Sequence, residues 1–324
     1  MSQAGANRPL IREVVEWRLR TRSLELGRRT LVMGVVNITP DSFSDGGRFL
    51  DPRAAAAHAL KLLDEGADIL DLGAESTRPG SRAGRQAGSE FAPAVSAEEE
   101  QARLLPVLEV ILAARSQAIV SVDTYKAATA RAALAAGAEV INDVSGFQWD
   151  SGMPAVCAEF KCGLVLMHTR GRPEEWHAQP QLAADELLAT VRSGLAASMA
   201  AAAQAGIAPE SVVLDPGYGF GKRFDENFAL LSRQAELLSL GRPLLAGLSR
   251  KSFLGRTLAP LYASPTPKAE SAPFAPAEAR EAASLAALVA AILHGASIVR
   301  VHFVRPAVEA ALIADAVLRA NRTA

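Results

Sequence analysis

The sequence predicts an α/β chain folded as a (β/α)8 TIM barrel of parallel strands, with a short N-terminal hairpin closing one end. Three observations carry this expectation. Short β-branched or Leu-rich runs of about five residues alternate with Ala-rich stretches of about a dozen or more. Many of those stretches run into a glycine (Gly66, Gly137, Gly206, Gly241, Gly295), the residue that ends a helix most readily. A polar residue follows every apolar run, as required where strand ends converge on one mouth. A doubly wound open sheet shares the alternation, so polar strand ends tip the choice toward closure.

The elements follow in order. Residues 1–10 carry no periodicity and are expected to be disordered; Val14 to Arg20 and Ser23 to Leu26 flank a polar turn and read as the hairpin. Strands are expected at Leu31–Val36, Asp68–Leu72, Ala118–Val122, Glu139–Ile141, Gly163–Met167, Val212–Leu214, Leu244–Ala246 and Ser297–Val301. Helices are expected near Pro52–Glu65, Ala97–Ala114, Lys126–Ala136, Met153–Phe160, Leu182–Ala205, Asp225–Leu240, Ala279–His294 and Pro306–Arg319. Two stretches exceed ordinary connections: 80–95, with Arg82 and Arg85, and 259–276, with five prolines. Both are expected to be mobile loop insertions. They interrupt connections without dividing the fold, so the chain reads as an N-terminal extension and hairpin (1–30) and one barrel domain (31–324).

Composition narrows the function. With 324 residues the chain can bury a large core, and although 49% are hydrophobic, no apolar run approaches the roughly 20 residues that span a bilayer. Lys and Arg number 34 against 35 Asp and Glu, so neither nucleic acid nor a membrane surface is indicated as a partner. The two cysteines, Cys157 and Cys162, lack metal or redox spacing and read as buried free thiols. No secretory signal is visible, and Glu13, Glu16 and Glu25 argue against a transit peptide, which makes the cytoplasm the default location.

The strand ends hold the chemistry. After the first strand, Asn37 opens a polar loop in which Thr39, Asp41, Ser42, Ser44 and Asp45 surround Phe43, more oxygen than an ordinary turn needs. Later strand ends bring Glu75 to Arg78, Asp123, Asn142 with Asp143, His168, Asp215, Lys251, and Arg300 with His302. These divide by charge. Asp123, Asn142 and Asp215 make an acceptor-rich floor suited to a planar amidine-like edge. Thr77, Arg78, Arg300 and His302 make an oxyanion patch, and Arg300 also suits the face of a conjugated ring. Asn37 offers one oxygen, which fits a magnesium ion shared with phosphate oxygens and water. Plainer roles stay open: Asp215 as a cap, His302 as a core histidine, Lys251 as a Schiff-base lysine.

The motifs Met33-Gly-Val-Val-Asn-Ile-Thr-Pro-Asp-Ser-Phe-Ser-Asp-Gly-Gly47, Glu75-Ser-Thr-Arg-Pro-Gly80, Ser121-Val-Asp-Thr124, Asp215-Pro-Gly-Tyr-Gly-Phe-Gly-Lys222 and Ser249-Arg-Lys-Ser252 resemble those of the dihydropteroate synthase family. The resemblance runs over roughly residues 31–310. It implies a transferase of folate biosynthesis that joins a dihydropterin diphosphate to 4-aminobenzoate with Mg2+, is the target of sulfonamides and works as a homodimer. By the same carry-over, Asp123, Asn142, Met167, Asp215, Gly247, Lys251 and Arg300 would hold the pterin. Asn37, Thr77, Arg78, Arg300 and His302 would hold the diphosphate, with Asn37 the metal ligand. Phe43, Pro79, Phe220 and Ser252 would meet the aminobenzoate. Asn37, Thr77, Arg78, Asp123, Lys251, Arg300 and His302 would form the catalytic set. Phe303 stands where the family usually has an aspartate, Ala74 where it commonly has glycine, and the insertions are its own. A methyltetrahydrofolate-binding methyltransferase module and a non-catalytic pterin-binding paralogue are the rival expectations.

Overall fold

The computed structural model describes residues 12–39, 51–75, 95–262 and 274–320. Among them, β1 (Val15–Arg18) and β2 (Ser23–Leu26) form an antiparallel pair. Eight more strands close a parallel barrel: β3 (Leu31–Asn37), β4 (Ile69–Gly73), β5 (Val120–Asp123), β6 (Val140–Asp143), β7 (Gly163–Met167), β8 (Val212–Asp215), β9 (Leu244–Ala246) and β10 (Ala296–Val301). They are ordered in sequence, and β10 returns to β3. The helices outside are α1 (Pro52–Asp64), α2 (Ala97–Ala114), α3 (Ala127–Ala135), α4 (Met153–Phe160), α5 (Ala184–Gln204), α6 (Phe224–Ser232), α7 (Ser252–Tyr262), α8 (Glu281–Leu293) and α9 (Val304–Ala320). Closure settles the choice between barrel and open sheet.

Two departures from the expected elements have local causes. The Asp225–Leu240 helix breaks after Ser232 into a 3-10 turn over Gln234–Leu240. Gln234 is fully buried there, accepting from the Tyr218 hydroxyl at 2.8 Å and donating to Ala291 O at 3.0 Å. Ala259 to Tyr262, expected in the second insertion, instead continue α7, which runs in helix through Pro260. Residues 1–11, 40–50, 76–94, 263–273 and 321–324 lie outside the described residues, and with them the N-terminal disorder and most of both insertions.

Alternation along each strand sends every second residue outward to the helices and the others into the barrel. The outward set, including Leu70, Val122, Ile141, Leu164, Leu214 and Val299, belongs to the large core shared with the helices. The inward set starts apolar. Met33, Ile69, Val140, Val165, Val213, Leu245 and Ile298 cluster with Trp17, Leu19 and Leu26 of the hairpin segment. The hairpin therefore plugs the barrel's lower end, with Trp17 fully buried and its Nε1 donating to Ser211 O at 2.9 Å. Arg12, paired with buried Asp315 of α9, anchors the segment leading into it.

Helix ends are fixed by side chains where the sequence offers them. Asp51 accepts from the Arg53 amide at 2.9 Å with Pro52 at the first helical position, and Ser96 accepts from the Glu99 amide at 3.1 Å ahead of three acids in the first turn of α2. Cys157 and Cys162 are buried free thiols.

Candidate active site

One step of two residues turns the apolar layer into a polar one on four of the strands. Above Ile69 stands Asp71, above Val140 Asn142, above Val165 Met167, above Val213 Asp215, above Leu245 Gly247, and above Ile298 Arg300. Register aligns the rim: Asn37 pairs with Gly73, Gly73 with Asp123, and Asp123 with Asn142.

Arg300 organises this layer. Its Nε donates to Asp71 Oδ2 at 2.5 Å and its Nη2 to Asp123 Oδ2 at 2.7 Å, while Asn142 Nδ2 donates to the same Asp71 oxygen at 3.1 Å. Burial alone would lower the Arg300 pKa, but the two carboxylates outweigh it and hold the guanidinium firmly charged. The opposite holds at Asp123. Burial raises its pKa to about 7 despite Arg300, with the Asp71 charge adding to the rise. Asp71 was not foreseen, since it sits inside a run read as an apolar strand. Its signal was there: a lone acid among Ile69, Leu70 and Leu72 must find a partner once buried. Asp71 Oδ1 is buried without a hydrogen-bond partner among the described residues, an oxygen that a ligand donor or a water would satisfy.

Asp215 completes the floor. Its Oδ1 accepts from the Gly217 amide at 2.7 Å, and a Cβ on Gly247 would stand 3.8 Å from its Oδ2 and 4.0 Å from the Arg300 Cβ. Burial raises the Asp215 pKa against the pull of the Gly217 amide and Lys251. Gly217 is obligatory at a φ of +71°, because a Cβ there would lie 1.9 Å from His168 O. The turn is cinched by Lys222, whose Nζ donates to Gly217 O at 2.8 Å and to His168 O and Phe220 O at 3.2 Å each; burial lowers its pKa to about 7.

The side walls are aromatic and cationic. Met167 clusters with Tyr125, Val144, Trp149 and Phe220. Lys251 Nζ stands 4.1 Å from the centre of the Phe220 ring, a cation–π contact that keeps the ammonium at the edge of the floor. His302 meets Ser249, its amide donating to Ser249 Oγ at 3.2 Å and its Nδ1 lying 3.0 Å from the same oxygen. Ser252, the first residue of α7, lines a cleft of about 770 Å³ together with Gly219, Trp176, Phe224 and Arg256.

The structure thus brings Asn37, Asp123, Asn142, Met167, Asp215, Gly247, Lys251, Arg300 and His302 to the strands' C-terminal end. Thr77, Arg78, Pro79 and Phe43 lie outside the described residues. Three strand-end polar groups serve the scaffold instead. Glu75 accepts from Lys126 Nζ at 2.6 Å and Tyr125 OH at 2.8 Å. Asp143 accepts from the Ser145 and Phe147 amides, both at 2.8 Å. His168 is buried against Gly194 of α5, where a Cβ would stand 2.5 Å from its ring, and burial keeps its pKa well below the usual value. The last two follow residues that face inward, so alternation turns them away from the mouth.

No group of three or more His, Cys, Asp or Glu among the described residues could form a metal cage. The half-buried Asn37 offers one neutral oxygen at the rim, a donor that fits magnesium brought in with phosphate oxygens and water rather than a resident ion.

A barrel with this acid, amide and arginine layer at its mouth is suited to a flat heterocycle with a donor edge. Residues 33–302 match the family described as pterin binding enzyme. The dihydropteroate synthase of Mycobacterium leprae is 43% identical over 90% of this chain and 94% of its own. The solved structure of Xanthomonas albilineans dihydropteroate synthase with 4-aminobenzoic acid superposes with a TM-score of 0.78 at 39% identity, covering 94% of this chain and 98% of that one. Burkholderia cenocepacia dihydropteroate synthase complexed with 7,8-dihydropteroate gives a TM-score of 0.77 at 36% identity, covering 96% and 100%. The chain belongs to the dihydropteroate synthase family of pterin-binding enzymes.

Proposed function

We propose that the chain condenses (7,8-dihydropterin-6-yl)methyl diphosphate with 4-aminobenzoate, giving 7,8-dihydropteroate and diphosphate in folate biosynthesis. The observation that carries this is the upper layer itself: Asp123 and Asp71 share Arg300 beside Asn142 and Asp215. The carboxylates and the amide take the pterin's amino and ring N–H donors, and the Arg300 guanidinium covers the ring face. Met167 and Gly247 line the same pocket, and Lys251 closes it from the Phe220 side.

The bond that breaks joins the methylene carbon to the diphosphate oxygen; the bond that forms joins that carbon to the amine nitrogen, which then loses a proton. A neutral aromatic amine is already nucleophilic, so the chain's task is to hold the leaving group's charge. Arg300, His302, Thr77 and Arg78 do that, and Asn37 would hold the magnesium. When bound, that ion neutralises part of the diphosphate charge. Phe43, Pro79, Phe220 and Ser252 take the aminobenzoate, with the first amides of α7 near its carboxylate. The rival methyltransferase and non-catalytic readings are not favoured, since neither explains the likeness to synthases along nine-tenths of the chain.

The remaining expectations belong to the same proposal: one catalytic barrel behind an N-terminal hairpin extension, cytoplasmic, and a homodimer. No helix among the described residues is long and apolar enough to cross a membrane, and α9 exposes Leu312, Ile313 and Val317 as a face a second copy would cover. Diphosphate release in the presence of both substrates and magnesium tests the reaction. It is expected to require the aminobenzoate and to be competed by a sulfonamide; absence of release with a correctly folded protein would refute it.

A further inference from the structure

Two consecutive residues after β9 pair with two consecutive residues after β10. Ser249 meets His302 at 3.0 Å, and one position on, the Arg250 guanidinium carbon lies 4.3 Å from the centre of the Phe303 ring. Arg250 has a φ of +59°, left-handed backbone that a non-glycine residue keeps only where its surroundings over-determine it. Those surroundings are specific. The Arg250 amide donates to Ser284 Oγ of α8 at 3.0 Å, and its carbonyl accepts from Arg280 Nη1 at 3.0 Å. Its side chain is held by the Phe303 ring. The next residue is Lys251, with its ammonium over Phe220. One turn therefore sends neighbouring cations to different aromatic rings, one against the scaffold and one into the mouth.

We infer that Arg250 and Phe303 are a positioning pair: their contact fixes the left-handed turn that places Lys251, so Phe303 sets pterin affinity through Lys251 rather than by touching substrate. This rests on Lys251 binding the pterin diphosphate. It also gives the aromatic residue at 303 a physical role, since a ring face accepts a guanidinium as an acid would, without adding negative charge beside His302.

The test uses the full chain, four single variants and two double variants. Phe303→Leu keeps an apolar side chain and loses the ring; Phe303→Tyr keeps the ring; Arg250→Met keeps a long non-glycine side chain and loses the cation. Lys251→Ala removes the group being placed. Calorimetric binding of the pterin diphosphate is measured beside kcat and KM, so the result does not depend on turnover. Phe303→Leu is expected to weaken pterin binding about fivefold, the size of one partly buried cation–π contact, and Phe303→Tyr to stay within about twofold of wild type. Arg250→Met should match Phe303→Leu, and the two together should cost no more than either alone. In the Lys251→Ala background, Phe303→Leu should cost nothing further. Wild-type affinity in Phe303→Leu, additive losses in the double variant, or an undiminished Phe303→Leu effect without Lys251 would each overturn the pair. Wild-type affinity in Lys251→Ala would instead remove the premise about Lys251, and failure of wild type to release diphosphate would strike the proposed reaction alone.

Discussion

The interior of this barrel is two regions built on the same strands. In the lower one, Met33, Ile69, Val140, Val165, Val213, Leu245 and Ile298 pack against the hairpin's Trp17 and Leu26. In the upper one, two residues further along, Asp71, Asn142, Asp215 and Arg300 replace apolar side chains with a charged layer, in which Arg300 reaches both Asp71 and Asp123. The backbone geometry does not change between them; only side-chain chemistry does. The lower layer shields the barrel from water beneath and keeps the strands in register. The upper layer can then hold buried charges within 2.7 Å of each other. Stability and recognition are thus separated by one pleat, and substitutions in the two layers should fail differently.

The largest contrast is Arg300→Ala, which strips both carboxylates of their shared cation. It is expected to cut kcat/KM for diphosphate release on the order of a hundredfold or more and to cost about 3 kcal/mol in urea unfolding, because buried acids are left unpaired. Retained activity would break the comparison. Leu245→Ala, in the lower layer, should cost about 2–5 kcal/mol of stability while the folded fraction keeps its KM values. A specific loss of pterin affinity there would show that the layers are not separable.

Asp71→Asn should fall between, lowering kcat/KM about tenfold by removing one of the two charges that orient Arg300 while keeping side-chain shape. The last expected effect is a pH slope. Asp123 has a folded pKa of about 7, above the ordinary carboxyl range. Its contribution to stability is therefore present at low pH and lost as pH rises through about 7. Between pH about 4 and about 7 the slope attributable to this group is at most about 1.4 kcal/mol per unit. Thermal melts of the ligand-free protein should show Asp123→Asn with a flatter pH dependence than wild type. Identical slopes would remove Asp123 from this account.

Much of this was legible in the sequence because the barrel's rules are local. Gly163–Met167 and Leu244–Ala246 run as the alternation predicts, and the other strands differ by a residue or two at their ends. What was not legible required knowing which face a residue takes. Asn142 faces inward and Asp143 outward, Met167 inward and His168 outward, and no periodicity spans a run of four or five residues well enough to fix that parity. Asp71 was hidden for the converse reason: within an apolar run its inward position looks like core. The length of α7 was hidden by Gly255 and Pro260, both poor helix formers.

The most direct test of the central claim, that the upper layer is the pterin site, is a crystal structure with a bound pterin. The ring is expected within hydrogen-bonding distance of Asp123, Asn142 and Asp215, with the Arg300 guanidinium against its face. A pterin seated instead in the cleft by Trp176 and Arg256, with the upper layer untouched, would contradict it.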